Sequence, residues 1–519
     1  MSQSPADSTA PAWETDLAYW ALPEAEKERL AAKRARAAAL AGGALVVLFS
    51  GSEEPGIAMG RFEPRAWFRE LAELTDPGCA LLFDGAAWRL YLTEPDRRSQ
   101  TWEGYRLGSA RAFEALGVEA RPLSSFEADL ASRLADGASL AMEPDDLGPQ
   151  ARAVRDLFEK ASSSRARRPG PRALHDAGAL LEPLRMAVDE AEANRLRASC
   201  KIAALGHVAA WEALFRASAR LVEIDGACRA QGSGSAGAAP QASPSWEMPE
   251  SEGMGHLARA MIASGMRAPL TERLLEGAFL AVCAASLADG PAYAPIVAAG
   301  ENALCLHWRD NRRMVRPGDW VLMDMGCSFG GFCSDLTRAV PADGDFSGLR
   351  GAAYRALLRA QLKGIDACRE GADFLAADRA ARAALIEDLE PLGLLRREWA
   401  PADSPDDAWR ERALSKIFPH STSHFIGRRV HDVGATKAAD GSPAVLRAGM
   451  RLTVEPGLYF FPDLPGLPEE VDSVGMRIED TCLVRPGGAP AEVLTELCPK
   501  TPEDIARIAA DCGLSPKLA

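Results

Sequence analysis

The stretch from Trp320 to Pro341, WVLMDMGCSFGGFCSDLTRAVP, restricts the possible folds of this chain more than any other. Two apolar runs flank Ser328-Phe329-Gly330-Gly331, where glycine supplies the backbone angles a tight hairpin turn demands. With Phe329 and Gly330 as the two-residue loop, Asp324 stands opposite Asp335. Directly opposed side chains share one face of a hairpin at roughly 5 Å, and two like charges there are destabilising. Either a cation lies between the two aspartates or both are strand-end residues in solvent. The hairpin by itself balances these readings evenly.

The remainder of the chain has to decide. At 519 residues it exceeds one ordinary core, so two domains are expected. The formal net charge of −14 argues against nucleic acid or an anionic membrane as the main partner. No apolar run reaches the length of a membrane span, and the start, MSQSPADSTAPAWETD, is polar and acidic rather than a secretory signal. These features predict a cytoplasmic protein. The 11 cysteines form no CxxC pair, and Cys79, Cys283, Cys305 and Cys482 sit inside apolar runs. They read as buried free thiols in a reducing compartment. Cys327 and Cys333 flank the hairpin turn and also read as packing, because no basic neighbour lowers their pKa.

Residues 1–12 read as a disordered tail and 13–160 as an α/β domain, with strands at 44–49, 79–83 and 88–92 and helices around 65–74 and 109–116. The Ser-, Pro- and Arg-rich stretch within 161–183 reads as a linker. A second domain spans 184–519. It opens with a helix whose Asp189 and Glu192 have capping-box spacing and whose Leu196, Cys200, Ala204, Val208 and Trp211 share a face. His207, in that helix, reads as structural. A Gly/Ser/Pro-rich insertion at about 229–266 interrupts the helices. Helices followed by strands, twice over, predict an α+β domain with a curved antiparallel sheet covered on one face.

Of 7 histidines, four fall between 307 and 431: His307, His420, His424 and His431. His420 and His424 are spaced i, i+4, a weak zinc signal in isolation. Glu455 and Glu479 each read as mid-strand residues of an apolar run, costly unless paired; Arg477 offers Glu479 a bland partner. Taken together, four such carboxylates beside a histidine cluster favour a metal site. Two divalent ions would neutralise the four charges. An oxygen-rich donor set with one or two imidazoles and no thiolate suits manganese first, with cobalt, iron or zinc as alternatives.

The segments YAPIVAAGENALCLHW, DMGCSFGGFCSDLTRAVP, HSTSHFIGRRVHDVG, LTVEPGLYF and GMRIEDT, in that order, resemble the M24 metallopeptidase family, nearest to aminopeptidase P and prolidase. The N-terminal domain resembles that of aminopeptidase P most clearly at DRRSQTWEGYRLG. The resemblance implies a pita-bread catalytic domain with a dinuclear centre, in which Asp324, Asp335, His424, Glu455 and Glu479 are the ligands. It implies that Asp335 and Glu479 bridge both ions, that Asp324 serves one, and that His424 and Glu455 serve the other. His307 and His431 match histidines that contact substrate, His420 and Arg477 match supporting positions, and Glu455 matches a proton shuttle. The implied reaction is attack of a hydroxide held between two metal ions on the peptide bond between an N-terminal residue and proline.

The implied partner is a peptide with proline second, and the implied assembly a homodimer or homotetramer. The alternatives are a prolidase restricted to dipeptides and a non-catalytic peptide- or protein-binding relative. Ser421 replaces a usual glycine and Arg428-Arg429 an apolar-acidic pair, which places the differences from the family at the pocket rim.

Overall fold

The computed structural model describes residues 20–52, 62–96, 101–102, 104–163, 173–230, 270–406 and 408–518. The tail expected over 1–12, part of the expected linker (164–172) and the expected insertion from residue 231 onward lie outside these residues. The chain divides into two compact units, Met1–Ala187 and Val188–Ala519.

The first unit is built on a sheet of β1 (Leu45–Phe49), β2 (Ala80–Phe83), β3 (Trp88–Leu92), β4 (Ala120–Pro122), β5 (Leu140–Met142) and β6 (Leu174–Asp176), in the order β4-β3-β2-β1-β5-β6. Every residue of β1, LVVLF, is buried, as a central strand covered on both faces requires. It pairs antiparallel with β2 and parallel with β5. Helices α1 (Glu24–Ala41), α2 (Ala66–Ala72), α3 (Ala112–Leu116), α4 (Phe126–Ala135), α5 (Pro149–Ser162) and α6 (Ala177–Leu181) accompany it. Phe126, Leu130 and Leu134 of α4 and Val154 of α5 pack on Val47, Leu82 and Tyr91 of the sheet. The strands β4 to β6 are three residues each, too short for a period-two pattern to reveal.

In the second unit, α7 (Glu190–Ala230) begins at a reciprocal cap. Asp189 Oδ1 accepts from the Glu192 amide at 3.0 Å, and Glu192 Oε2 accepts from the Asp189 amide at 3.2 Å. Leu196, Cys200, Ala204 and Trp211 on its inner face are buried. Helices α8 (Glu272–Ala285), α9 (Gly348–Ala367), α10 (Ala376–Leu389), α11 (Trp409–Ile417) and α12 (Pro502–Asp511) follow.

The strands of this unit are β7 (Gly290–Pro291), β8 (Ile296–Ala299), β9 (Trp320–Asp324), β10 (Cys327–Phe329), β11 (Phe332–Cys333), β12 (Thr337–Pro341), β13 (Arg451–Val454), β14 (Gly457–Phe460), β15 (Val474–Arg477), β16 (Asp480–Leu483) and β17 (Glu492–Val493). They form antiparallel sheets in the orders β12-β9-β8, β11-β10-β7, β13-β16-β17 and β14-β15. Side chains alternate as a one-sided sheet demands. Val297, Ala299, Val321 and Met323 join the large core with Trp211, Phe279, Leu357 and Leu385 of the helices, whereas Ile296, Ala298 and Leu322 pack with Tyr459 on the other face.

Three nearly continuous paths are broken for two residues each: β9 to β10 at Met325-Gly326, β13 to β14 at Glu455-Pro456, and β15 to β16 at Ile478-Glu479. At each break the chain passes from one sheet into the next, which produces the curvature. Glu455 and Glu479 were expected mid-strand. They stand instead at these interruptions, where a side chain is released from the regular alternation.

Candidate metal centre

The hairpin register differs from the expected one. The loop is Gly330-Gly331, both at positive φ (57° and 74°), the pair of left-handed residues that a two-residue hairpin turn of this hand requires. Phe329 therefore pairs with Phe332, and Asp324 pairs with Thr337 rather than with Asp335. The expectation was wrong by two residues. A shift of two, unlike a shift of one, leaves every side chain on its expected face. Asp324 and Asp335 thus remain diagonal neighbours on one face.

Tyr293 fills the space between them. Its hydroxyl lies against Asp324 Oδ1 and 2.6 Å from Asp335 Oδ1. Gly326 gives it room, since a Cβ there would meet the Tyr293 ring at 2.6 Å and the Ser334 carbonyl at 2.1 Å. His207 lies fully buried behind the same bend with Nε2 3.2 Å from the Met325 carbonyl, so Nε2 carries the proton. Burial pushes its pKa down to about 3, in keeping with its structural reading.

The other carboxylates converge from the remaining breaks. Thr337 donates to Glu479 Oε2 at 2.6 Å, while Glu479 Oε1 is buried without a hydrogen-bond partner. Arg477 spends its donors on Asp324 Oδ2 (2.6 Å), the Tyr459 hydroxyl (2.7 Å) and the Thr337 hydroxyl (3.1 Å). It does not serve as the simple partner of Glu479 that the sequence allowed. His424 Nε2 lies 3.4 Å from Asp335 Oδ2 and 3.5 Å from Glu455 Oε1. Among the described residues, ligand atoms of Asp335, His424 and Glu479 all fall within 4.8 Å of one another.

His431 stacks edge-on to His424 with ring centroids 4.4 Å apart, and His307, exposed, lies near enough to depress His431 further. His420 Nε2 is 3.1 Å from the Tyr459 hydroxyl. Every predicted residue therefore belongs to one neighbourhood. Tyr293, Thr337 and Tyr459 were not singled out in advance. Tyr293 does open the YAPIV segment, but a tyrosine beside apolar residues reads as core. Arg428, expected at the pocket rim, is instead buried over the Phe332 ring at 4.7 Å, with Glu192 3.9 Å away. Arg429 is exposed. The described cysteines are free, and Cys305 is exposed rather than buried.

The electrostatics show how poorly such a set tolerates its own charge. Burial pushes Asp324 up to about 6 and Glu455 up to about 7, and burial with the charge of Asp335 raises Glu479 well above the usual range. Asp335 is the exception: burial opposes its ionisation, but the His424 bond and charge outweigh this and lower its pKa. His424 rises to about 9, burial being outweighed by Asp335 and Glu455. A divalent cation reverses this logic, because its own charge becomes the largest in the site. The orphaned Glu479 oxygen and the oxygen-rich donors fit such an ion.

Residues 248–486 match the pattern of Metallopeptidase family M24. The chain carries an M24 metallopeptidase domain. Its match to Xaa-Pro aminopeptidase 2 of Streptomyces coelicolor is 36% identical over 237 residues, 45% of this chain and 47% of that protein. The match to Xaa-Pro aminopeptidase of Escherichia coli K12 is 34% identical over 215 residues, 41% of this chain and 46% of that one. The chain thus spans about half the length of these relatives. In three dimensions the aminopeptidase PepP of Pseudomonas aeruginosa superposes with a TM-score of 0.77 at 25% identity, covering 95% of this chain and 99% of the other. Escherichia coli aminopeptidase P, solved with the inhibitor Pro-Leu, gives 0.76 at 24% identity with the same coverage. The M24 domain has the pita-bread fold, preceded by a separate α/β unit. No described helix is long and apolar enough to cross a membrane.

Proposed function

We propose that the M24 domain is a metal-dependent aminopeptidase that hydrolyses the bond between an N-terminal residue and proline. The observation that carries this reading is the convergence of Asp335, His424 and Glu479 ligand atoms within 4.8 Å of one another, with Glu479 Oε1 buried and unpartnered. The likeness to Xaa-Pro aminopeptidases supports the substrate class. Asp324, Asp335, His424, Glu455 and Glu479 would hold two divalent ions, manganese first. When bound, such ions supply Lewis acidity and a nucleophile at neutral pH.

The chain's own groups do the rest. Tyr293 and Arg477 fix the Asp324 and Asp335 carboxylates, and Thr337 fixes one oxygen of Glu479. His431, at the open side of His424, donates to the oxygen of the scissile carbonyl as its charge grows. The leaving group is a proline nitrogen, which must gain a proton. Glu455 is the carboxyl placed to carry one. Arg477, Tyr459 and His420 form one hydrogen-bonded wall beside it. The buried free thiols suit a reducing cytoplasm, and we propose a homo-oligomeric assembly.

The test is an assay of manganese-supplemented protein on Xaa-Pro, Xaa-Pro-Yaa and longer peptides, with a chelated control. Release of the N-terminal residue from the longer peptides, lost on chelation, is expected. Hydrolysis of the dipeptide alone would indicate a prolidase, and activity that survives chelation would overturn the metal mechanism.

A further inference from the structure

Residues 300–314 leave the end of β8, pass His307 and return to the core at Val315. Two acids near the start of α8 close this excursion, Glu272 at 0% exposure and Glu276 at 8%. Neither is a ligand candidate, and the proposed reaction uses neither. A fully buried carboxylate is costly unless its oxygens are satisfied, so the groups that satisfy Glu272 define its role.

The Glu272 carboxylate bonds only to this excursion and the strand end it leaves. Oε1 accepts from the Ala299 amide and from Asn302 Nδ2, both at 2.8 Å. Oε2 accepts from the Arg313 amide at 2.9 Å and from Trp308 Nε1 at 3.1 Å. The Glu272 amide itself donates to the Arg313 carbonyl at 3.0 Å. One residue thus ties both ends of the loop to its middle. Glu276 adds a second tie, accepting from Asn311 Nδ2 at 2.9 Å, while Asn311 Oδ1 accepts from the Val297 amide at 3.1 Å.

His307 is held through this frame. The Trp308 amide donates to the Cys305 carbonyl at 3.1 Å, which makes residues 305–308 a tight turn with His307 third and Trp308 last. Leu304, Leu306 and Trp308 pack against Ile296, Leu322 and Tyr459. The exposed His307 ring comes near enough to His431 for its charge to act there. Among the described residues no hydrogen bond holds the His307 ring itself, so its place is set by its turn. The indole bonded to Glu272 fixes the last residue of that turn. Resting on the function proposed above, we infer that Glu272 is a positioning residue for hydrolysis, which pins Trp308 and thereby holds His307 beside His431 and toward the substrate.

The test is a double-mutant cycle on manganese-loaded protein with an Xaa-Pro-Yaa peptide, with the metal content of each preparation measured. In Glu272→Gln the amide nitrogen meets two of the four donors with donors of its own. This variant is expected to keep its metal and lose kcat/KM about tenfold or more, within what a misplacement of about 1 Å can cost. In a His307→Ala background the same change should cost less than twofold. Trp308→Phe removes one of the four bonds and leaves the carboxylate in place. It should repeat the pattern with a smaller loss, and it decides the question if the glutamine variant does not fold. Hydrogen exchange read by mass spectrometry should rise over residues 300–313 and not around Asp335 or Glu479. An equal loss in the two backgrounds, full activity in the single variants, loss of metal, or unchanged exchange over 300–313 overturns the inference. With an active native chain those results count against the inference alone, whereas an inactive native chain overturns the proposed function and the inference with it.

Discussion

Asp335 and His431 both approach His424, the first at 3.4 Å from its Nε2 and the second with ring centroids 4.4 Å apart, and they differ in what each can do. The Asp335 carboxylate is 5% exposed, accepts from Tyr293, and lies within the group formed with His424 and Glu479. His431 is exposed at its outer edge, and burial of part of its ring together with the charge of His424 lowers its pKa, so it remains neutral at pH 7 and keeps one N–H to donate. Asp335→Ala should therefore abolish metal loading and activity together, by metal analysis and peptide assay of one preparation. His431→Ala should retain the metal and lower turnover by about a hundredfold, the scale of one lost donor to a developing oxyanion. Loss of metal in the His431 variant would assign it to the ligand set instead. Gly326 makes the same site sensitive to a single methyl group. Gly326→Ala places a Cβ 2.6 Å from the Tyr293 ring and 2.1 Å from the Ser334 carbonyl. Overpacking of this kind costs typically 1–3 kcal/mol, and denaturant unfolding should register it together with weakened metal binding.

At the scale of the strand, the site depends on how β12 and β16 are held together next to their carboxylates. Arg338, fully buried, uses all five of its N–H groups: Nε on the Pro499 carbonyl (3.0 Å), Nη1 on the Thr337 (3.0 Å) and Glu479 (2.5 Å) carbonyls, and Nη2 on Asp480 Oδ1 (2.8 Å) and the Cys498 carbonyl (2.9 Å). Asp480 in turn accepts from Thr495, Gln361 and Lys500. Removing one partner of a buried pair costs about 3–5 kcal/mol, a cost that Lys500 on Asp480 Oδ2 at 2.6 Å offsets in part. Arg338→Met should lower the unfolding free energy from denaturant titration by up to that amount and weaken metal binding about tenfold or more, as loss of support around ligands does. Arg338→Lys, with the charge but three donors, should fall between.

This frame was not visible in the sequence, because an arginine within TRAVP reads as surface. The ligand candidates were visible because an acid inside an apolar run such as TVEPGLY or MRIED is hard to explain otherwise. The hairpin was legible to its faces but not to its register, since three consecutive residues at Phe329-Gly330-Gly331 allow two placements of the loop, and only the positive φ of both glycines decides. The strand breaks escaped notice for a related reason. Composition is unchanged across Ile478-Glu479, and the bend arises from which sheet each half joins.

For the whole molecule, the centre is a load of protons and charge that folding must accommodate, and pH reveals it. Without metal, His424 rises to about 9 and Glu455 to about 7, both largely but not fully buried, so the folded chain holds protons that the unfolded chain gives up near 6.5 and 4.5. Raised pKa values contribute stability at low pH that is lost as pH rises through the folded value. His207, His420 and His431 have lowered pKa values and act oppositely, but only below about pH 6.5, where the unfolded histidines take up protons. Asp335 and Asp480, whose pKa values are lowered, contribute stability that is lost only in acid. Between pH 6.5 and 8.5 the direction is therefore fixed, and chelated protein should lose about 3 kcal/mol, roughly one proton over two pH units. Divalent ions replace those protons, so their binding strengthens as pH rises. Thermal unfolding with excess chelator should show the melting temperature falling across this window, and with excess manganese the stabilisation should grow with pH. Parallel pH profiles in the two conditions would mean that these groups do not hold the ion.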